Sequence, residues 1–421
     1  MRGLRLSRDA PVEVPGLSVS SIRAGGSTTA APSWFAGATR GNQPSVDALV
    51  ADAHLRNSVA GIRGLGASGL DVVALGRSRA SAGVWSRHAA ARHIAASSTE
   101  APKAFVAKIR DVAIHYGPLV VYPGQENSID ALIRYSAALP AWAILPYSGA
   151  AALRRLRDKR ELPTYLADVG LRAPTMLAYG TAQELRKMSL PEPCVVKPVG
   201  GPGRTLPFPQ VIESSADGMS LLRRLPPGEP LLVQEHVRGP LLGLGLVVDR
   251  HGGIVARIQQ SASFTWPVHA GGSRMAVTVE PDEDLADRSA ALLASAGYWG
   301  LAHLQFLQGD GRPVLIDVNT RFYGSLPLAL AAGVNLPAAW HAIATGSEPP
   351  PPSRYRVGVT YRWFVADLAA AYRGSPKRLF SRAPNPRVGA MWAADDPVAS
   401  GILAGEAMWA AAKRRLPTGS G

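Results

Sequence analysis

The sharpest alternation of apolar and polar positions lies in residues 301–327, LAHLQFLQGDGRPVLIDVNTRFYGSLP, where two apolar, strand-like runs flank the turn GDGRP. The first run carries Gln305, and the second ends with Asp317, Asn319 and Arg321. Residues two apart in a strand point to the same face. Asp317, Asn319 and Arg321 therefore share a face, with Gln305 across the hairpin. Further upstream the pattern changes. Residues 46–52 (VDALVAD), 70–75 (LDVVAL) and 119–122 (LVVY) are short apolar runs that predict buried strands. Between and after them, 57–65 and a stretch from Ser128 have helical spacing, although two glycines weaken 57–65. Strands alternating with helices predict a parallel α/β unit. A helix follows over 154–169, ending near Gly170, with Pro163 as a point of interruption. Then come a buried strand and glycine-rich loop in CVVKPVGGPGRT, an apolar strand in LLVQEHVRG, and a β-hairpin around the turn DRHGG.

The chain has 421 residues, long enough for two or three domains, and its 47% apolar and 18% charged content describes a globular protein. Residues 1–45 are the exception: rich in Ser, Ala, Gly, Pro and Arg without a period, they are expected to be a disordered extension. The lone Cys194 rules out an intrachain disulfide and suits a reducing compartment. No apolar run reaches the ~18 residues of a membrane span, and the N-terminus lacks the apolar core of a signal peptide. A cytoplasmic protein without membrane contact is expected. The net charge of +14 raises nucleic acid as a partner. The basic residues are mostly isolated arginines, and the densest groups (RRLRDKR at 154–160, Lys377-Arg378, and 413–415) have no interleaved aromatics. A solvated basic surface is expected, and no nucleic acid. Lysine is rare, which singles out Lys197, at the end of an apolar strand just before the glycines.

The hairpin's polar set suits a metal ion holding a nucleotide phosphate. Mg²⁺ takes carboxylate, carbonyl and water oxygens, usually from a few protein groups plus phosphate. A solvated hairpin face would carry more Lys, Glu and Thr than these short residues among LAHL, VLI and FYGSLPLAL. Two nucleotide folds are disfavoured. The dinucleotide fingerprint G-x-G-x-x-G is absent after the first strand, where ADAHLRNS stands, and Lys197 precedes its glycines instead of following them as in a P-loop.

The hairpin resembles the metal-binding end of an ATP-grasp domain, whose usual pattern is an acid or Gln before Phe, then acid-x-Asn-x-Arg. The Gln-Phe form is similar to the carbamoyl-phosphate-synthetase branch, and RFYGSLPLALAAGVNLP is similar to proteins described as carboxylate–amine ligases. The resemblance implies an α/β and α+β architecture: a small Rossmann-like domain over 46–150, a two-lobed ATP-grasp domain over 151–345, and a C-terminal segment over 346–421. It implies ATP with two Mg²⁺ (or Mn²⁺) ions bridged by Asp317, Gln305 and Asn319 on either side, and Arg321 on the transferring phosphate. Lys197 would touch the α/β-phosphates or the adenine edge. Lys159 is either a second phosphate-side lysine or a surface helix lysine. Gly200, Gly201 and Gly203 would form a lid. Gln234, Glu235 and His236 would form the hinge, with Glu235 near the adenine amine. Arg274, like Arg257, is either a substrate-anion ligand or a surface arginine. Gln125 and Glu126 either reach substrate or belong to a helix-capping loop.

The chain departs from the family pattern at three places: Asp317 stands where Glu is usual, Gln305 where Glu is common, and PLLGLG offers no ribose acid. The implied activity is that of an ADP-forming ligase of small-molecule carboxylates and amines, and a homodimer is compatible with it. No general base stands out. The rivals are a non-catalytic ATP-binding or regulatory protein of the same fold and an RNA- or DNA-associated protein.

Overall fold

Among the described residues three β-sheets organise the fold, each with its own hydrophobic pattern. The computed structural model describes residues 45–199, 206, 208–266, 271–309, 312–351, 354–372 and 387–413. All but the last residue of the expected 1–45 extension lies outside the described residues, as do Gly200, Gly201 and Gly203. The first sheet holds β1 (Ala48–Val50), β2 (Val72–Gly76), β3 (Ala91–Ile94), β4 (Leu119–Tyr122) and β5 (Ala143–Ile144), parallel throughout and ordered β3-β2-β1-β4-β5. Its central strands are buried at every position, as a sheet with both faces covered requires. Helix α1 (Arg56–Ala67) covers the face of Ala48, Val50, Ala74 and Tyr122. Helices α2 (Pro102–Tyr116) and α3 (Glu126–Arg134) cover the face of Leu49, Val73 and Val121. This is the expected Rossmann-like unit.

The glycines of α1 are contact points. A Cβ on Gly61 would lie 2.3 Å from the Phe322 ring, and one on Gly64 would lie 2.7 Å from Pro337. The helix-propensity penalty of about 1 kcal/mol per glycine is offset by a close approach of α1 to the body that carries the hairpin.

The helix expected over 154–169 is two helices, α4 (Ala150–Arg157) and α5 (Leu162–Asp168). Pro163 falls in the first turn of α5, where a missing N–H does no harm. The break therefore opens before it, at Asp158, whose side chain accepts the Arg160 N–H at 2.9 Å. Lys159 is left in the connecting loop, which removes the helix-surface alternative for it.

The second sheet forms a small lobe of β6 (Met176–Thr181), β7 (Cys194–Pro198), β8 (Gln210–Ile212) and β9 (Pro230–Glu235), antiparallel and ordered β6-β9-β7-β8. Helices α6 (Ala182–Leu185) and α7 (Ser215–Arg224) cover its face of Cys194, Val196, Leu231 and Val233, which forms a separate core. By the alternation of strands, Lys197, Leu232 and Gln234 share the other face.

The third sheet holds β10 (Leu241–Val248), β11 (Ile254–Trp266), β12 (Gly272–Thr278), β13 (Gly300–Gln308), β14 (Pro313–Asn319), β15 (Thr360–Arg362) and β16 (Arg387–Gly389), in the order β14-β13-β10-β11-β12-β15-β16. Helix α8 (Glu283–Ser295), with α4 and α5, packs on the face of Leu242, Leu244, Leu304 and Phe306. Helices α9 (Leu326–Ala332) and α10 (Leu336–Thr345) lie on the opposite face and share one core with α1 and the first sheet. The segment after residue 346 adds β15 and β16 to this sheet, together with α11 (Phe364–Tyr372) and α12 (Pro397–Lys413). Asp396, at the start of α12, anchors that helix to the first domain: it accepts Arg63 Nε at 2.9 Å, Ser86 Oγ at 2.8 Å and the Arg87 N–H at 3.0 Å. Among the described residues no single helix is long and apolar enough to cross a membrane.

Candidate active site

The expected hairpin is β13–β14, and its register puts Gln305 opposite Asp317 and His303 opposite Asn319. A bulge sets this pairing. Phe306 pairs with Leu315 and Gln305 with Asp317, so Ile316 is the extra residue, and the bulge brings the carboxylate level with the amide. One row then crosses the sheet from Asp317 through Gln305, Gly243 and Gln260 to Thr278. Glycine is required within that row: a Cβ on Gly243 would lie 2.8 Å from His303 Nε2 and 3.0 Å from Gln260 Cγ.

Asp317 is the meeting point of the charges. Lys159 Nζ donates to its Oδ1 at 2.9 Å, and Asn319 Nδ2 donates to Oδ2 at 3.2 Å. Burial pushes the Asp317 carboxyl up, but Lys159, Lys197 and Arg321 outweigh it and hold the group below the usual carboxylate range. Lys197 descends from the small lobe and is only 9% exposed. Burial, reinforced by the nearby Lys159 charge and opposed by Asp317, lowers its pKa to about 8. Arg321 donates through Nε to Glu126 Oε1 at 3.0 Å, and Arg157 Nε meets Glu126 Oε2 at 2.7 Å. Arg157 also forks onto Asp130, at 2.7 and 3.2 Å. Glu126 opens α3, and its loop is set by Asp52, which accepts the Gly124 N–H at 3.1 Å and Gln125 Nε2 at 3.0 Å. Asn57 Nδ2 ties the same loop to the hairpin's exit, donating to Gly124 O at 2.7 Å and Phe322 O at 2.9 Å. The first domain thus braces the arginine of the hairpin.

A cavity of about 400 Å³ opens beside this cluster, lined by Leu153, Arg157, Lys159, Val199 and Leu232. Lys159 lines the cavity and joins Asp317 to it, Lys197 shares a strand face with the lining Leu232, and Asn319 and Gln305 flank Asp317 in the hairpin, so this cluster borders the cavity. Gln234 is buried on the Lys197 face. Glu235 points to the other face, where Arg172 Nη1 at 3.2 Å and Thr175 Oγ1 at 3.1 Å hold its carboxylate. The backbone N–H of Glu235 donates to Thr175 O at 2.9 Å, joining the two strands of chain that enter and leave the lobe. His236 lies in the connection from β9 to β10.

Arg274 is buried on β12, four strands from β14 and on the order of 19 Å away at the usual strand spacing. Its Nη1 is 3.1 Å from Asp367 of α11. Arg257 pairs with Glu283. Sequence reasoning missed Arg157, hidden in a basic run, and His303, a lone polar residue in LAHL. His303 stacks on Tyr323 with ring centres 4.0 Å apart, and burial lowers its pKa to about 3, so it is neutral.

The donor set admits a divalent cation under one condition. Among the described residues no group of three or more His, Cys, Asp or Glu is placed to hold a metal. The site offers one carboxylate, Asp317, already aimed at a cation in the form of Lys159 Nζ, and the amide groups of Gln305 and Asn319 in register beside it. Mg²⁺ is commonly held by one or two carboxylates together with substrate phosphates, so the residues fit it when phosphate completes the shell.

Residues 228–365 match a family described as "ATP-grasp in the biosynthetic pathway with Ter operon". No curated protein sequence matches the chain. Solved structures do. The biotin carboxylase domain of Hydrogenobacter thermophilus 2-oxoglutarate carboxylase, in complex with MgADP, ADP and bicarbonate, superposes with a TM-score of 0.55 at 15% identity, covering 76% of this chain and 74% of that one. Staphylococcus aureus N5-carboxyaminoimidazole synthetase complexed with ADP gives 0.55 at 13%, covering 74% and 80%. Bacillus licheniformis L-amino acid ligase gives 0.50 at 15%, covering 74% and 76%. These solved structures share the fold of this chain, and residues 228–365 match an ATP-grasp family.

Proposed function

We propose that the chain is an ATP-dependent, ADP-forming ligase that activates a small carboxylate as an acyl phosphate and passes it to an amine. The observation that carries this reading is the convergence of Lys159, Lys197 and Arg321 on Asp317 between two lobes. In the first step a carboxylate oxygen bonds to the γ-phosphorus and the bond from that phosphorus to the β-phosphate oxygen breaks, releasing ADP. In the second the amine nitrogen bonds to the acyl carbon, the carbon–oxygen bond breaks, phosphate leaves and the nitrogen loses a proton. Such chemistry needs positioning and neutralised charge more than covalent help from the protein.

Lys197 and Lys159 face the phosphate chain as point charges. Arg321, braced by Glu126, meets the transferring phosphoryl group. Asp317, with Gln305 and Asn319, would hold Mg²⁺ or Mn²⁺, which when bound supplies Lewis-acid neutralisation of the phosphate oxygens. In this reading Gln234 and the connection through His236 meet the adenine edge, with Leu232 beside it. Glu235 serves that connection indirectly, by fixing its geometry through Thr175 and Arg172. The nucleotide-bound structures of similar fold support this reading, as does the family match.

The test is ADP release from ATP and Mg²⁺ against a panel of carboxylates and amines, with Asp317→Asn alongside. Wild-type turnover abolished in a folded Asp317→Asn protein is expected. Unchanged turnover in that variant would sink the site assignment. Firm ATP binding with no ADP release on any substrate pair would favour the non-catalytic reading, which the single carboxylate at the metal position motivates.

A further inference from the structure

We propose that the metal-free cleft is itself a polyphosphate site: it takes a phosphate chain without a divalent cation, and the cation enters only with that chain, as Lys159 leaves Asp317. This rests on the reading of the cleft as a nucleotide site and adds an order and a ligand class to it. Four cations, Lys159, Lys197, Arg157 and Arg321, face three carboxylates, Asp317, Glu126 and Asp130. The site is thus net positive before any metal arrives. Each carboxylate is already engaged. Asp317 has Lys159 on one oxygen and Asn319 on the other. Glu126 has Arg321 on one and Arg157 on the other. Asp130 is forked by Arg157. Asp158, a further acid on the cavity wall, is held by Arg160 at 2.8 and 3.1 Å, and the described residues contain no cluster of three metal-ligating side chains.

A bare divalent ion would have to displace an ammonium group from the one carboxylate while meeting an excess of positive charge. A polyphosphate meets the opposite field. Lys197 makes no ion pair among the described residues and lies on the lobe face turned to the cleft. Lys159 needs only to exchange one anionic partner for another. Once phosphate draws Lys159 off, Oδ1 of Asp317 is open and the local charge has reversed, which are the two conditions a divalent cation needs.

Binding experiments on the full chain test this without turnover. Inorganic tripolyphosphate, titrated calorimetrically in excess EDTA, is expected to bind. Free Mn²⁺, followed by its electron paramagnetic resonance signal, is expected to stay unbound on wild type without phosphate and to bind when tripolyphosphate is added. Lys159→Met, or Lys159→Gln if the first folds poorly, is expected to bind Mn²⁺ alone at least tenfold more tightly than wild type. Adding Asp317→Asn is expected to remove that gain. The proposal is overturned if wild type binds Mn²⁺ alone as tightly as Lys159→Met, if neither protein binds it, or if tripolyphosphate binds only when Mn²⁺ is present. Firm binding of MgATP alongside any of those results would leave the nucleotide reading standing. Failure of MgATP and tripolyphosphate alike would overturn both.

Discussion

Replacing Lys197 with Met should make the protein more stable and less able to hold a phosphate chain. The side chain is 9% exposed and its pKa falls from 10.5 to about 8, first through burial, then through Lys159, with Asp317 only partly compensating. At 1.36 kcal/mol for each pKa step, that difference corresponds to roughly 3 kcal/mol of destabilisation when the lysine is charged. The sign follows from proton linkage. Below pH 8 both folded and unfolded chains carry the proton, and the penalty is full. Between pH 8 and 10.5 the unfolded chain binds more protons, so stability rises with pH. Above 10.5 the penalty is gone. Methionine has a similar length and adapts to irregular space, so packing should change little. Urea denaturation at pH 7 should show Lys197→Met about 3 kcal/mol more stable than wild type, and the gap should close near pH 10.5. In the same protein the rise in melting temperature produced by ATP should vanish. A variant less stable than wild type at pH 7, or a gap that does not change with pH, would refute the account of Lys197 as a strained, function-bearing cation.

Three further outcomes are expected. Glu126→Gln removes the charge that braces Arg321 and Arg157, and should lower ADP formation on the order of tenfold through misplacement while the thermal shift with ATP persists. A coupled ADP assay showing wild-type rates would remove the brace from the mechanism. Asp396→Ala strips Arg63, whose side chain is 11% exposed, of its counter-charge; by the usual penalty of ~3–5 kcal/mol for half of a buried pair, α12 should become the first site of limited proteolysis. Gly243→Ala inserts a methyl 2.8 Å from His303 Nε2 and should lose ~1–3 kcal/mol in urea denaturation by overpacking; unchanged stability would mean that the row from Asp317 to Gln260 has slack.

What was legible in the sequence was local. The hairpin of β13 and β14 could be read because alternation and turn chemistry act over a few residues, and the parallel sheet because its buried strands are continuous apolar runs. Even so, period two shows which residues of a strand share a face and leaves open which face meets the cleft. Gln234 and Glu235 were both expected at the hinge, and the register puts Gln234 on the Lys197 face and Glu235 on the other. The pairing of Lys159 with Asp317 was hidden inside RRLRDKR because the two lie 158 positions apart. The brace on Arg321 joins residues 195 apart. Gly61 and Gly64 read as liabilities within a helix, since propensity is visible in a sequence and the ring of Phe322 pressed against the backbone is not. The break after Arg157 was foreseen only as an interruption at Pro163, because the proline's tolerance of a first turn moves the end of the preceding helix upstream.

The small lobe leaves the body after Thr175 and returns at Glu235, and the backbone N–H of Glu235 donates to Thr175 O at 2.9 Å between the two stems. With its own core and its ends side by side, the lobe is an insertion in the topological sense. Cutting the chain at those stems and joining residue 175 to 236 would require almost no rearrangement of what remains. Conversely, a tether between the stems would restrict the lobe's hinge without touching a single group in the cleft. In hydrogen exchange, amides of β6 to β9 should therefore share one opening free energy, different from that of the two sheets that are locked together through α1.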